Sequence, residues 1–150
     1  MKCKGKILLC LTMLLLAVSV CQAEDNWQFV DARDDTGYYL DVSSVRQVKL
    51  QAPGGVQGEH HPAELDGVFA TIAVIRAHSN KIFVYDTNFL PAQMKYQILS
   101  SKVMTYDTRK ELSRSAVPME FSSYGSSSPM HSLAEYAWSI SRNEKPADLK

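Results

Sequence analysis

The triplet Asp35-Thr36-Gly37 matches the active-site motif of aspartic proteases. That chemistry needs two carboxylates sharing one proton, and therefore a second triplet or a symmetric dimer. The 150-residue chain contains no second copy, and Arg33 and Asp34 stand where a rigid apolar strand would have to lead into the aspartate. A polar run ending in glycine is typical of a turn, with Gly37 free to take a positive φ. The triplet is therefore interpreted as a turn.

Metal-ligand residue types are collected in the segment Glu59-His60-His61-Pro62-Ala63-Glu64-Leu65-Asp66. A zinc-protease helix would place its histidines four residues apart, and the proline interrupts any helix here. A defined site would also need ligands from elsewhere in the chain. The segment is interpreted as a solvated acidic loop, and no metal or other cofactor is predicted.

A catalytic nucleophile is equally hard to place. Three serines, 126–128, follow Gly125, but no Gly-x-Ser-x-Gly elbow occurs between a strand and a helix. His78 and His131 are isolated and are interpreted as turn and helix-surface residues, and the run 121–128 as a flexible connection. No catalytic residue is predicted, and the chain is predicted not to be an enzyme. A small hydrolase with an unseen site is the third-ranked alternative.

Aromatic residues are the remaining candidates for function. Seven tyrosines and two tryptophans are spread along the chain. Some must belong to the core, whereas any left on a sheet face would suit protein recognition, because they bury a large area and keep a polar tip. The pattern does not decide which are exposed, so no binding residue is predicted. The set comprises Trp27, Tyr38, Tyr39, Tyr85, Tyr96, Tyr106, Tyr124, Tyr136 and Trp138.

Residues 1–23 have the three parts of a secretory signal peptide. Three lysines precede a run of 14 residues, 7–20, that is apolar apart from Thr12 and Ser19, and Cys21-Gln22-Ala23 supplies a small–x–small site. Cleavage is predicted between Ala23 and Glu24. The run is shorter than the roughly 20 apolar residues of a membrane-spanning helix. The product is therefore predicted to be exported, without a transmembrane segment after processing, to the periplasm, the cell surface or the medium.

Cys21 offers a second processing route. The sequence Val18-Ser19-Val20-Cys21 loosely imitates a lipobox, and cleavage before the cysteine would leave a lipid anchor. The residue before such a cysteine should be small, whereas Val20 is branched. Simple cleavage after Ala23 is therefore favoured over lipid anchoring.

Removal of this segment changes the composition of what folds. Cys3, Cys10 and Cys21 all leave, so the mature domain is disulfide-free and must be stable through its core alone. The three leading lysines leave as well, and 13 basic residues then face 16 acidic ones, a net charge of −3 with histidine neutral. The absence of a basic patch argues against nucleic acid as a partner.

The elements that position these residues are mostly strands. Strand-type runs are predicted at 27–30, 38–41, 45–50, 68–75, 81–85 and 96–106, with a long loop at 51–67. Ser128 is a suitable N-cap and Pro129 a suitable first helical residue, and apolar residues at helical spacing follow: Met130, Leu133, Ala134, Ala137 and Ile140. The predicted fold is α+β, an antiparallel sheet of about six strands with one C-terminal helix packed on it. It forms a single domain, 24–142, followed by a polar tail, 143–150.

The order of these features resembles that of the bacterial surface-adhesin protein E family. After a signal peptide, the family has an early Trp, a Tyr-Tyr-x-Asp strand with a nearby Ser, a long apolar strand, a Tyr-Asp turn and a Pro-x-Ser helix entry. The matching positions here are Trp27, Tyr38-Tyr39-Leu40-Asp41 with Ser44, 68–77, Tyr106-Asp107, and Pro129-Met130-His131-Ser132.

The resemblance implies a six-stranded antiparallel sheet with a flanking helix, displayed at the cell surface or in the envelope and often dimeric. It implies binding of host extracellular-matrix proteins such as vitronectin and laminin. Family members carry a cysteine bridge between a central strand and the helix, where this chain has Tyr85-Asp86 and Trp138. The leading hypothesis is an exported, non-enzymatic protein-binding domain. The alternative is a periplasmic or envelope accessory protein without a host ligand.

Overall fold

The computed structural model describes residues 26–51 and 64–143. These residues form one antiparallel sheet in which six strands follow one another in chain order, while β7 pairs with β5 beside β6. This confirms the predicted α+β fold with a single C-terminal helix. The elements are β1 (Trp27–Arg33), β2 (Thr36–Gln51), β3 (Glu64–Arg76), β4 (Lys81–Leu90), β5 (Lys95–Thr105), β6 (Glu111–Ser115), β7 (Ser122–Ser123) and α1 (Pro129–Ser141).

Strand β2 joins two runs that the sequence predicts as separate strands. The register shifts between Asp41 and Arg46, where β2 bulges away from β3. Within the bulge, the Ser44 hydroxyl accepts a hydrogen bond from the backbone N–H of Thr71 at 2.7 Å and donates one to the carbonyl of Asp41 at 2.7 Å. The serine thus satisfies a donor that the interrupted ladder leaves open, and the strand continues past the bulge.

The turns close on residues other than glycine. Asp34, Asn80, Met94 and Arg109 have φ values between 51° and 57°, one in each of the connections β1–β2, β3–β4, β4–β5 and β5–β6. The expected positive φ at Gly37 is therefore wrong, because the turn lies at Asp34 and Asp35 and Gly37 already belongs to β2. A Cβ on Gly37 would come within 2.9 Å of the Tyr39 ring, so the glycine makes room for that ring.

The helix α1 packs against β1, β2 and β3 as its apolar spacing predicts. The Ser128 hydroxyl accepts a hydrogen bond from the backbone N–H of His131, which confirms the predicted N-cap, and Pro129 begins the helix. Leu133, Ala134 and Ala137 are fully buried. They form the core together with sheet residues that point toward α1, namely Val30, Leu40, Val68, Ala70, Ile72 and Phe89.

The two faces of the sheet differ in what lies over them. Opposed residues of antiparallel strands point to the same side, so the row Leu40, Ile72 and Tyr85 faces α1. The next row, Tyr39, Ala73 and Val84, points to the other side. No described element packs over that side, which we call the open face.

Tyr85 and Trp138 help to pack the helix onto the sheet. Both side chains are half-buried and pack against the core under α1. The helix is also linked to β1 by a hydrogen bond of 2.8 Å from the Ser132 hydroxyl to the Asp31 carboxylate. Apolar packing and side-chain hydrogen bonds therefore hold the helix on the sheet.

Several predicted features fall partly or wholly outside the described residues. The signal peptide, its cleavage point between Ala23 and Glu24, Cys21, and all but the first residue of the tail 143–150 lie outside them. The predicted loop 51–67 is too long at both ends, since Gln51 belongs to β2 and residues 64–67 belong to β3. Residues 52–63 lie outside the described part of the chain.

Candidate functional site

Asp35, the acidic residue of the protease-like triplet, lies in the turn between β1 and β2. Its carboxylate is 2.5 Å from Nδ1 of His78, which lies in the turn between β3 and β4. Both side chains are more than half exposed. A contact between two exposed side chains on neighbouring turns is the geometry of a surface interaction, and the pair lies in no cleft of the described chain that would enclose a substrate.

The described end of the acidic segment belongs to a strand. Asp66 in β3 is 2.5 Å from Nζ of Lys49 in β2, and this hydrogen bond raises the pKa of the Lys49 amine. Among residues 26–51 and 64–143, no group of three His, Cys, Asp or Glu residues could hold a metal ion. Glu59, His60 and His61 lie outside the described residues.

The serine-rich run 121–128 is more than a connection. Ser122 and Ser123 form β7 against β5, and Tyr124 enters the core beside His131, with 6.0 Å between the ring centroids. The Tyr124 hydroxyl and Nδ1 of His131 are buried without a hydrogen-bond partner in the described chain. Burial, followed by the negative charge of Glu135, raises the pKa of Tyr124 to about 12. These two groups pack the helix N-terminus onto the sheet.

A polar cluster occupies the middle of the open face. The Asp86 carboxylate accepts hydrogen bonds from the hydroxyls of Thr71 at 2.8 Å and Ser100 at 2.6 Å. The three residues lie on adjacent strands and satisfy one another. On one side of them the guanidinium of Arg46 lies 3.6 Å from the centroid of the Phe69 ring and covers it. On the other side the face remains apolar.

That apolar part of the open face forms a concavity of about 580 Å³. Its floor is the cross-strand row Ile75, Ile82 and Met104, and the aromatic side chains come from the first strand, the second strand and the turn after β5. Ile82 is almost fully buried, whereas Tyr106 is 42% exposed. The full lining is Trp27, Tyr39, Ala73, Ile75, Ile82, Val84, Met104, Tyr106 and Arg109.

Arg109 is the single charged residue that the described part of the chain contributes to this lining. Its guanidinium lies 5.4 Å from the centroid of the Tyr106 ring, within cation–π range. The turn that carries it is held by Asn80, whose side-chain oxygen accepts hydrogen bonds from the backbone N–H groups of Tyr106 and Asp107, each at 3.0 Å. The carboxylate of Asp107 accepts from the N–H of Thr108 at 2.6 Å, which lowers its pKa.

Residues 111–120, which we call the edge arm, run along the outer side of β5 with every residue exposed. Leu112, Val117 and Met119 are 52%, 74% and 59% exposed. The arm is nevertheless tied down, because the N–H of Met119 donates to the carbonyl of Ile98 at 2.8 Å. At its start β6 pairs with β5 from Glu111 onward.

A second concavity, of about 570 Å³, lies on the helix side near the β4–β5 turn. Three carboxylates line it, and Trp138 forms its helical wall. The two tryptophans of the chain therefore lie at different concavities, Trp27 on the open face and Trp138 beside α1. The lining is Glu64, Leu65, Asp66, Leu90, Pro91, Ala92, Gln93, Glu135 and Trp138.

Comparisons with family models, with curated proteins and with solved structures find no significant match for this chain. Within the described residues, no helix has the length and apolar character needed to cross a membrane.

The sequence prediction named neither the concavity nor the edge arm. One sequence signal for the concavity exists. In the runs 68–75 and 81–85, apolar side chains occur at both odd and even positions and therefore on both faces of the strands. A single helix covers only one face of the sheet, so the apolar side chains on the other face lie open. No comparable pattern exists for the edge arm, whose residues alternate neither in burial nor in polarity.

Proposed function

We propose that this chain is an exported, non-enzymatic protein-binding domain that acts at the cell surface or in the envelope, in the manner of an adhesin. The observation that carries the proposal is the edge arm, an ordered sheet edge with three exposed large apolar side chains, Leu112, Val117 and Met119. The layout resemblance to the protein E family gives the compartment and the class of partner.

An exposed sheet edge is a known mode of protein recognition. An edge strand offers unpaired backbone N–H and C=O groups to which an extended segment of a partner can add, while pockets for side chains supply specificity. Here β6 is the last strand along its part of the edge among the described residues. Single exposed apolar residues are ordinary, but three of the five large apolar side chains exposed in the described chain lie within eight positions of this edge.

The charges along β6 do not repel a partner of either sign. Arg114 donates to the Glu111 carboxylate at 2.8 and 3.1 Å, which lowers the pKa of Glu111 and raises that of Arg114. The two charges neutralise each other at the start of the arm. The apolar side chains of the edge arm are therefore not surrounded by a field of one sign.

The candidate partners are host extracellular-matrix proteins, other envelope proteins, or a second copy of the chain. Vitronectin and laminin are the first to test, because the resemblance implies them. The purified protein should give saturable binding to one of these immobilised proteins. The triple variant Leu112→Ser/Val117→Ser/Met119→Ser should reduce that binding about tenfold or more, since buried apolar contacts at an interface centre carry most of the affinity.

The matched control is Phe29→Ser, which removes a side chain that is 50% exposed on β1, at the opposite edge of the sheet. It should leave binding to the matrix protein unchanged. Both variants should remain folded, because the altered side chains are at least half exposed. The control should lose up to about 1.5 kcal/mol, since Phe29 also packs edge-on against the Tyr39 ring. Equal losses in the triple variant and the control would refute the edge arm as the contact surface.

The alternative function is an envelope accessory protein without a host ligand. Absence of saturable binding to vitronectin and laminin at micromolar protein would favour it. Protease treatment of intact cells distinguishes the two compartments: a surface protein is digested, and a periplasmic one is protected until the outer membrane is opened.

A further inference from the structure

We propose that the concavity on the open face binds a single-chain anionic amphiphile, of which a fatty acid is the simplest example. The apolar chain would lie over Ile75, Ile82 and Met104, with its head group at Arg109. This binding site is separate from the edge arm and does not depend on the proposed function.

The size and lining of the concavity suit an acyl chain. At about 580 Å³ it falls in the range of sites that bind small molecules. Its floor is aliphatic, and Trp27, Tyr39 and Tyr106 supply walls of large area. Burial of apolar area is the main driving force for such a ligand, and each added methylene should tighten binding about fourfold until the space is filled.

The charge at the rim selects the head group. Among the described residues no carboxylate lines the concavity, and Arg109 is the one charged residue there. The nearest acids along the chain already have partners: Asp107 accepts from Thr108, and Glu111 from Arg114. In the described part of the chain, the guanidinium of Arg109 contacts only the Tyr106 ring, so its N–H donors remain available to a carboxylate.

A free amphiphile fits this site better than a membrane surface does. Stable attachment to anionic bilayers needs clusters of basic residues. The chain without its first 23 residues has a net charge of −3, and only one basic side chain lines the site. The long-range field of the protein therefore disfavours an anionic bilayer, whereas a single carboxylate needs only the local cation.

The test uses the two tryptophans as reporters of the two concavities. In the Trp138→Phe protein, the remaining tryptophan is Trp27, which lines the proposed site. Titration with dodecanoate, kept below its aggregation concentration, should change the Trp27 fluorescence saturably and with one-to-one stoichiometry. Dodecanol should bind about five- to tenfold more weakly, and dodecyltrimethylammonium more weakly still, because each lacks the attraction to the guanidinium.

Substitutions at Arg109 test the head-group contact without endangering the fold, because the residue is exposed in a turn. Arg109→Gln should weaken dodecanoate about five- to tenfold and leave dodecanol unchanged. Arg109→Glu should reverse the preference, so that dodecyltrimethylammonium binds more tightly than dodecanoate. The control Arg33→Gln removes an exposed arginine that contacts Ser127 on the helix side, and it should change neither affinity.

Four results would overturn the proposal. The first is equal affinity of the parent protein for dodecanoate and dodecanol. The second is dodecanoate binding that is unaffected by Arg109→Glu. The third is a fluorescence response in the Trp27→Phe protein but not in the Trp138→Phe protein, which would place the ligand at the other concavity. The fourth is binding to vesicles of anionic phospholipid with none to free dodecanoate, which would identify a membrane surface as the ligand.

Discussion

At the scale of single residues, local geometry decides which substitutions the molecule tolerates. Gly67 in β3 lies so close to its neighbours that an added Cβ would come within 2.7 Å of the carbonyl oxygen of Phe89 and of Cδ1 of Leu50. A leucine methyl can rotate away, but a backbone carbonyl in the next strand cannot move without disturbing the ladder. This glycine is therefore required by a close approach of two strands.

We expect Gly67→Ala to lower the free energy of unfolding by about 1–3 kcal/mol, the usual cost of overpacking. Urea unfolding followed by far-UV circular dichroism measures the change. Gly125→Ala is the matched control, because a Cβ there meets no atom within 4 Å, and its unfolding midpoint should not fall. A Gly67→Ala protein as stable as the control would show that β3 and β4 can separate at little cost.

Tyr124 predicts a dependence of stability on alkaline pH. Its pKa in the folded protein is about 12, against 10.0 in a free chain, chiefly because burial disfavours the phenolate. Above pH 10 the unfolded state loses the proton first, so stability is complete below that pH and falls as the pH rises toward 12. Tyr85, whose pKa is also raised by burial, adds a smaller effect in the same direction.

Tyr124→Phe should therefore flatten this decline without abolishing it, as urea midpoints measured from pH 8 upward would show. At neutral pH the variant should be as stable as the parent protein or slightly more so, because the buried hydroxyl has no hydrogen-bond partner in the described chain. An identical alkaline decline in both proteins would mean that Tyr124 ionises as readily when folded as when unfolded.

At the scale of elements, two turns are joined by one side chain. Asn80 ends the β3–β4 turn in the left-handed region, with a φ of 52°, and its side-chain oxygen accepts two hydrogen bonds from the β5–β6 turn. The same end of the sheet carries Tyr106 and Arg109. The position of Arg109 at the concavity therefore depends on a residue in a different hairpin.

Asn80→Ala should lower the free energy of unfolding by about 1–2 kcal/mol, because the N–H of Asp107 loses its acceptor and alanine disfavours a left-handed φ. The N–H of Tyr106 keeps a partner in this variant, since it also donates to the backbone carbonyl of Asn80 at 3.1 Å. Asn80→Gly relieves the backbone cost but not the loss of the acceptor, so it should recover only part of the stability. Thermal unfolding of the two variants separates the two contributions, and a glycine variant as stable as the parent protein would contradict the hydrogen-bonding role.

The elements also show how far local sequence patterns determine this fold. The helix was predictable because its cap, its proline and its apolar spacing all agree. Strand β2 was predicted as two pieces because the bulge at Ser44 interrupts the alternation of side chains. Strand β6 was missed because all five of its residues are exposed, and an edge strand without a buried face leaves no periodic signal.

At the scale of the whole molecule, the predicted leader controls both covalent state and charge. If cleavage follows Ala23, the exported protein begins at Glu24 and contains no cysteine, since Cys3, Cys10 and Cys21 all precede the cut. Its intact mass should correspond to residues 24–150, and its unfolding midpoint should be the same with and without a reducing agent. A mass that includes Cys21 and its lipid would show anchoring instead.

The amino-acid sequence by itself determined the class of fold, the terminal helix with its Ser128 cap, and the apolar character of the central strands. These properties depend on neighbours along the chain, so local spacing was sufficient to predict them. Only the tertiary structure decided which alternate side chains of each strand lie under the helix and which lie on the open face. A helix of 13 residues is about 20 Å long and covers one side of part of the sheet. The antiparallel register then brings Trp27, Ile82 and Arg109 to one open concavity from distant parts of the chain.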